Sequence, residues 1–260
     1  IVCRNRGPGE VADVIAGKYG IRGLLMTFSM ACVSSSHALV VAADLLAQKR
    51  IKRAVVVGFE PLLNLTLQGF ASLLLYDPDE CRPFCNRRMG MQIGEAASCV
   101  ILEENDSAAA GKSGFVFAGG HLYNDNSSLT SAGTDGEMVR GVVSRTLLKA
   151  GTDPGEIIAV KAHGTGTRDN DLSEGRGLAK VFGEGLPPVV SLKGVIGHTL
   201  GAAGTVETAL WLSCLEEGVI PKSFCFAETD PEIGFAPSQE NLPAADGSYL
   251  FTFFGFGGTC

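Results

Sequence analysis

Met30-Ala31-Cys32-Val33-Ser34-Ser35-Ser36-His37-Ala38-Leu39 is the stretch from which the fold and the chemistry of this chain are best worked out. The apolar run from Leu24 to Met30 predicts a buried strand, and the apolar residues after Ser36 keep a helical spacing. Cys32 would therefore stand where a strand ends and a helix begins. Because a helix N-terminus favours an anion, we expect Cys32 to have a lowered pKa and a nucleophilic thiol. Most free cysteines are instead small buried hydrophobes, and Cys32 alone does not separate the two interpretations.

Two of the four histidines stand in glycine-rich turns that follow apolar strands. His163 lies in Ala162-His163-Gly164-Thr165-Gly166-Thr167, and His198 lies in Gly197-His198-Thr199-Leu200-Gly201-Ala202-Ala203-Gly204. Strand ends are where α/β proteins collect their chemistry, and glycine lets the backbone approach a ligand closely. A cysteine with two histidines indicates acyl transfer through a thioester, in which the histidines stabilise an oxyanion or enolate or move protons.

Each of these glycine-rich turns also has a simpler interpretation than a catalytic one. Each histidine alone is more typical of a core residue with a satisfied hydrogen bond. A phosphate loop is disfavoured because the turn at 164–167 lacks the P-loop lysine pattern and does not open a G-x-G-x-x-G helix. The turn at 255–258 follows the apolar run 249–253, so it is either a plain turn or a backbone contact to an oxyanion.

Four blocks in this order resemble the β-ketoacyl synthases, the condensing enzymes of fatty-acid and polyketide synthesis. The blocks are Ala31-Cys32 with the serine run that follows, the His163 turn, the His198 turn, and Phe254-Gly255-Phe256-Gly257-Gly258-Thr259. A looser fifth block is Arg82-Pro83-Phe84 followed by Gly94-Glu95-Ala96. The joint pattern is specific because the blocks span nearly the whole chain, although each glycine-rich piece alone is not.

The resemblance implies a role for each matching side chain. Cys32 would carry the acyl chain as a thioester. His163 and His198 would stabilise the enolate formed when a malonyl thioester loses carbon dioxide. Lys193 would support the histidines, and Glu207 would be a buried glutamate with a structural task.

The resemblance also implies how the substrate is held. The backbone N–H groups of Cys32 and Phe256 would form an oxyanion hole, and the Phe256 ring would gate access to the cysteine. Thr165 and Thr167 would contact the phosphopantetheine arm of an acyl carrier protein. That arm is a substrate carrier, and we expect neither a covalently bound cofactor nor a metal site.

The alternation of strands and helices indicates an α/β fold. Strands are predicted near 24–30, 54–58, 98–102, 115–118, 157–160, 188–192 and 249–254, and helices near 35–48, 137–149, 172–182 and 201–216. Polar loops are predicted over 125–136 and 231–246. The resemblance implies the thiolase-like fold, two similar halves packed in five layers, α-β-α-β-α. Residues 1–112 would be the remainder of the N-terminal half with the nucleophilic cysteine, and 113–260 the C-terminal half with both histidines.

The chain departs from the family pattern in several places. Family members carry a longer first half before the nucleophile, so we expect that an N-terminal part is missing from this sequence; a short subunit that completes its fold with a partner is the alternative. The family commonly has aspartate where Cys85 and Met89 stand, and glycine where Ala96 stands. The segment 60–70 resembles ketosynthases of specialised pathways, such as aryl polyene or polyketide systems.

Net charge and cysteine content limit the possible binding partners and the cellular compartment of the protein. The net charge of −7 argues against a nucleic-acid binder. Two basic clusters, 49–53 and Arg87-Arg88, are either docking sites for an acidic carrier protein or ordinary solvated surface. The 8 cysteines show no disulfide or zinc spacing, which favours a reducing compartment. Without a signal peptide or an apolar run of membrane-spanning length, we expect a cytoplasmic protein.

Three functional classes remain open at this point. The first is an elongating ketosynthase that works with an acyl carrier protein, as a homodimer or as a heterodimer with a second ketosynthase-like subunit. The second is a non-catalytic partner subunit like the chain-length factors, which is disfavoured because those typically lose the nucleophile that Cys32 supplies. The third is a thiolase or an initiating synthase, and the His198 turn favours the elongating type over both.

Overall fold

The computed structural model describes residue 7 and residues 9–104, 114–124 and 133–260. The helices are α1 (Gly9–Tyr19), α2 (Ser34–Ala47), α3 (Asn64–Ser72), α4 (Glu137–Ala150), α5 (Arg168–Phe182), α6 (Lys193–Ile196) and α7 (Ala203–Glu216). The strands are β1 (Arg53–Glu60), β2 (Ala96–Glu103), β3 (Ile157–Lys161), β4 (Val189–Val190), β5 (Val219–Ile220), β6 (Leu242–Pro243) and β7 (Ser248–Phe251). The predicted boundary between 112 and 113 lies outside the described residues, as does most of the loop predicted over 125–136.

A parallel three-stranded sheet forms the centre of the second half, in the order β4-β3-β7. Its middle strand β3 is buried on both faces, which fits the apolar run of its first four residues. Val160 faces a core built with α4 and α5, whereas Ala159 faces a core built with Trp211 and Leu215 of α7. Side chains alternate along a strand, so Lys161 and His163 follow Ala159 on the α7 side.

The antiparallel pair β1 and β2 forms the second sheet, with Val56 opposite Val100. Leu39 and Ala42 of α2 pack on its inner face, and α2 lies beside α7. The described residues therefore form four successive layers: α4 with α5, the three-stranded sheet, α7 with α2, and the pair β1-β2. No described helix covers the outer face of this pair, where Val55, Phe59 and Ile101 are exposed.

Glycine contacts bring α7 against α2 and β1. A Cβ on Gly204, in the first turn of α7, would lie 2.1 Å from the backbone nitrogen of Ser36 in the first turn of α2. A Cβ on Gly58 of β1 would lie 2.0 Å from Thr205 Oγ1. Only glycine permits these approaches, and they place the segment after His198 against the segment after Cys32.

The strand predicted over 24–30 is wrong. These residues form neither helix nor strand, apart from an isolated bridge between Met30 and Cys32. Leu24 is 60% exposed, so the run is not buried either. No described strand lies beside it, and an apolar run becomes a strand only where a neighbour accepts its backbone hydrogen bonds. The prediction over 115–118 fails in the same way, with Val116 exposed.

The helix predictions are confirmed, with α2, α4, α5 and α7 at the expected places. Three further helices, α1, α3 and α6, were not predicted. Neither α1 nor α3 presents a buried apolar stripe, α3 has no buried residue at all, and α6 has only four residues. The loop predicted over 231–246 contains only the short strand β6. None of the described helices is both long and apolar enough to cross a membrane.

Candidate active site

Cys32 lies two residues before the first turn of α2, as predicted, and its side chain is buried. The backbone N–H groups of Phe256 and of Cys32 itself favour the thiolate and act to lower the pKa of the thiol. Burial raises the pKa of the Cys32 thiol to about 11, and the Lys193 ammonium and the Phe256 N–H only partly oppose this effect. The expectation of a lowered pKa is therefore wrong. Desolvation of the thiolate outweighs the helix N-terminus, and the thiol is protonated at neutral pH.

The two histidines face each other inside the protein. Their rings meet edge to face with centroids 5.2 Å apart, and both side chains are almost fully buried. His163 follows the end of β3, as predicted. His198 follows the short helix α6, and its backbone is fixed by Gln92 and Gly94, whose carbonyl and N–H lie 2.7 Å and 3.0 Å from it. The Gly94 block of the sequence thus positions the second histidine.

Lys193 fixes the orientation and protonation of His163. Its Nζ lies 3.4 Å from His163 Nδ1 and 2.7 Å from the His163 carbonyl oxygen. Because an ammonium group has only donors, Nδ1 must accept and the proton of the neutral ring sits on Nε2. Lys193 in turn donates to Glu207 Oε1 at 2.5 Å. The predicted support of the histidine by a lysine has a direct geometric basis.

Burial, and then the charge of Lys193, hold the pKa of both His163 and His198 well below the ordinary value. Both rings are therefore neutral at pH 7, and each has one N–H to donate. His198 Nδ1 is buried and has no hydrogen-bond partner among the described residues. Two neutral donors can stabilise a developing negative charge without first exchanging a proton.

Buried carboxylates hold the turns that carry the histidine and the threonines. Glu174 on α5 accepts hydrogen bonds from the N–H groups of His163 and Gly164, each at 2.8 Å. Asp171 accepts from the N–H groups of Thr165 at 2.9 Å and Phe84 at 2.7 Å. Phe84 belongs to the fifth, looser block, so this bond joins that block to the His163 turn.

A cavity of about 420 Å³ opens beside these groups. Cys32, His163, His198, Thr165 and Thr167 all line it, whereas Lys193 and Glu207 lie behind the histidines. The apolar part of the lining is Phe70, Leu74, Leu75, Met89, Met91, Met138, Phe254 and Phe256.

Two aromatic rings and two hydroxyls shape this cavity. The Phe256 ring lies against Phe70, with centroids 5.7 Å apart. The hydroxyls of Thr165 and Thr167 are 2.9 Å apart. An apolar chain would fit against the ring side, and a polar arm would fit against the hydroxyl side.

The basic cluster at Arg87-Arg88 is only partly a surface feature. Arg88 is buried and pairs with Asp230 at 2.5 Å, so it is unavailable for docking a partner. Arg87 is exposed and pairs with Glu228. Cys85 is fully buried and its Sγ accepts the N–H of Arg87 at 3.4 Å.

Sequence reasoning missed four polar residues of this site. Lys161, Asp171, Glu174 and Thr252 are all buried beside the histidine turns. One signal was available: Lys161 ends an apolar run, where a lysine demands a buried partner. The partners of these four residues lie on other elements of the fold, namely β3, α5, α7 and the segment after β7. No local pattern in the sequence therefore reveals which residues pair.

Comparison with known proteins agrees with this arrangement. Residues 5–108 match the N-terminal domain of β-ketoacyl synthase, and residues 115–227 match its C-terminal domain. The 3-oxoacyl-[acyl-carrier-protein] synthase 2 of Mycobacterium bovis is 31% identical over 96% of this chain and 63% of its own length. Nodulation protein E of Rhizobium sp. (strain N33) is 29% identical over 86% of this chain and 57% of its own. The chain thus spans less than two thirds of the length of these relatives.

Among solved structures, the complex of the ketosynthase ApeO with its chain length factor ApeC from Xenorhabdus doucetiae contains a similar chain. The similarity has a TM-score of 0.88 at 30% identity, and covers 98% of this chain and 63% of the other. The thiolase-like fold expected from the sequence is confirmed by this likeness. With both domain models matched in order and a cysteine and two histidines around one cavity, the chain belongs to the β-ketoacyl synthase family.

Proposed function

We propose that this chain carries the reaction centre of an elongating β-ketoacyl synthase. It would join an acyl chain on Cys32 to a malonyl unit on an acyl carrier protein, with loss of carbon dioxide. The observation that carries this proposal is that Cys32, His163, His198 and Phe256 line one cavity.

In the first half-reaction, the Cys32 sulfur attacks the carbonyl carbon of an acyl thioester. A new C–S bond forms, the bond to the carrier sulfur breaks, and the cysteine proton ends on the departing carrier thiol. The N–H groups of Cys32 and Phe256 would receive the oxyanion of the tetrahedral intermediate. One such donor typically contributes about 2.7–4 kcal/mol to the transition state.

In the second half-reaction, a malonyl thioester loses carbon dioxide and its electron pair becomes an enolate. The neutral His163 donates from Nε2 and His198 donates its own N–H to the enolate oxygen. The enolate carbon then attacks the acyl-cysteine carbonyl, the C–S bond breaks, and the cysteine sulfur takes up a proton from solvent. The buried position of Cys32 keeps water from the acyl-enzyme.

The proposed substrate carrier is the phosphopantetheine arm of an acyl carrier protein. Thr165 and Thr167 line the cavity and present the hydroxyls for that arm. The relative from M. bovis is named 3-oxoacyl-[acyl-carrier-protein] synthase 2, which supports such a partner. Carrier thioesters and a reduced cysteine suit the cytoplasm, where we place the reaction.

We further propose that the acyl chain belongs to a specialised pathway, of the polyketide or aryl polyene kind. The segment 60–70 and the apolar lining with three methionines support this substrate range. The whole protein would be a dimer, with a second copy or with a ketosynthase-like subunit. The heterodimeric choice is supported by the solved complex of a ketosynthase with its chain length factor.

The same complex supports a second candidate, a chain-length-factor-like subunit without catalysis of its own. The two candidate functions predict different results in a condensation assay. The whole protein is incubated with an acyl-carrier thioester and malonyl-carrier protein, and the products are identified by mass spectrometry. A β-ketoacyl product two carbons longer, absent with Cys32→Ala, supports the synthase. If no product forms and a separate ketosynthase copurifies with the chain, the accessory role is correct.

A further inference from the structure

Lys161 is a second buried lysine behind the histidines, and no role has been given to it so far. It ends β3 two residues before His163, and its side chain is fully buried. Its Nζ donates to Glu207 Oε2 at 2.6 Å and to the Thr252 carbonyl at 3.1 Å. The ammonium also lies 3.6 Å from the centroid of the Phe253 ring.

Glu207 therefore has two cationic partners at once. Its Oε1 accepts from Lys193 and its Oε2 accepts from Lys161, and all three side chains are fully buried. Burial alone would raise the pKa of Glu207, but the two ammonium groups outweigh it and the pKa lies below the ordinary value. The carboxylate is therefore charged. Burial lowers the pKa of Lys161 to about 8, so its ammonium is largely protonated at pH 7, and at that pH the three groups together carry one net positive charge.

The effect of this net positive charge on His163 depends on which lysine carries it. If Glu207 had Lys193 as its only partner, the pair would be neutral, and His163 would face an ammonium whose field is cancelled. With Lys161 on the second carboxylate oxygen, Glu207 is shared between two ammonium groups, and only one of them, Lys193, contacts His163. The remaining charged group near Lys161 is Glu174 on α5, which is occupied by the His163 and Gly164 N–H groups.

We propose that Lys161 is a positioning residue that takes up the charge of Glu207, so that Lys193 faces His163 and Cys32 with its positive charge uncancelled. This charge favours the enolate during decarboxylation and the thiolate during attack. The effect on the enolate rests on the proposed condensation, whereas the effect on the thiolate concerns Cys32 alone.

The test compares two uncharged substitutions in the whole protein. Lys161→Gln keeps donors for Glu207 and Thr252, whereas Lys161→Met removes them, and both remove the charge. The matched control is Lys180→Met, which removes an exposed lysine paired with Glu137. The first readout is carbon dioxide release from malonyl-carrier protein. The second is the rate at which iodoacetamide alkylates Cys32 at pH 7, where Lys161 is largely protonated, measured by peptide mapping.

The proposal predicts that both Lys161 variants lose roughly tenfold in each rate, the order expected for one unit charge at an effective dielectric of about 20. The control should stay within about twofold. If Lys161→Gln keeps the parent rates while Lys161→Met loses them, the residue acts through hydrogen bonding and the proposal is overturned. Unfolding of both variants, seen as a lost thermal transition, overturns it as well. If the parent protein releases no carbon dioxide, the proposed function fails, and the alkylation rates still decide the role of Lys161.

Discussion

The rings of His163 and His198 meet edge to face with centroids 5.2 Å apart, although the two residues belong to different turns of the chain. Lys193 makes contact with His163 from behind, and Gln92 and Gly94 hold the backbone of His198. The pair is therefore fixed by packing from both halves of the protein. Two neutral donors in fixed positions are what a developing enolate requires.

Reactivity of the thiol should rise steeply with pH. Because burial raises the pKa of Cys32 to about 11, we expect its alkylation rate to increase about tenfold per pH unit between pH 7 and 10. Iodoacetamide labelling followed by peptide mapping measures this rate, with the exposed Cys99 as a control within the same protein. A plateau below pH 8 would show a thiol with a lowered pKa and contradict the structure.

Acid should destabilise the fold through the histidines. The pKa of His198 is held well below 6.5 by burial and by Lys193, so the unfolded chain binds a proton that the folded chain refuses. As the pH falls below 6.5, this group lowers the free energy of unfolding by about 1.4 kcal/mol per pH unit.

The variant His198→Asn isolates that contribution, because asparagine does not titrate. Its free energy of unfolding should fall less steeply than that of the parent protein between pH 6.5 and 5. Denaturant titrations at several pH values measure the two slopes. Equal slopes would mean that His198 is protonated in the folded state, against the account given above.

Glu174→Gln should destabilise the protein because one amide group cannot accept at both of its ends. It would leave the N–H of His163 or Gly164 unsatisfied, which costs about 1–3 kcal/mol. The exposed Glu184→Gln is the matched control and should stay within about 0.5 kcal/mol. Thermal or denaturant unfolding compares them, and equal stabilities would refute a structural task for Glu174.

A pair of glycine substitutions tests the contact between α2 and α7. Gly204→Ala should cost at least about 1–3 kcal/mol, because its Cβ would lie 2.1 Å from the Ser36 nitrogen. Gly141→Ala in α4 meets nothing within 4 Å and should stabilise the helix by about 0.5–1 kcal/mol. Opposite shifts in melting temperature are expected, and a stable Gly204→Ala protein would rule out the close approach.

The part of the site that the sequence predicts is local. Cys32 before a helix, and His163 in a glycine-rich turn after a strand, follow from patterns within a few residues. The helices α4 and α7 follow from apolar spacing, because each has a face that meets a sheet. These features need no knowledge of which distant residues become neighbours.

The predictions that were wrong, and the contacts that were missed, depend on residues far apart in the sequence. The run 24–30 is apolar enough for a strand, but strand pairing depends on a neighbour elsewhere in the chain. The pKa of Cys32 follows from how deeply the thiol is buried, which the helix N-terminus alone does not reveal. The bridge of Glu207 between Lys161 and Lys193 joins three separate elements, so only the folded structure reveals it.

The most direct test of the reaction centre is the intact mass of the whole protein after incubation with an acyl-carrier thioester. The parent protein should gain the mass of one acyl group, lose it on treatment with hydroxylamine, and show it by peptide mapping on Cys32. Cys32→Ala should gain nothing, while the matched buried-cysteine variant Cys81→Ala should be acylated like the parent. Acylation that persists in Cys32→Ala, or a parent protein that accepts no acyl group from any carrier donor, would contradict a ketosynthase centred on Cys32.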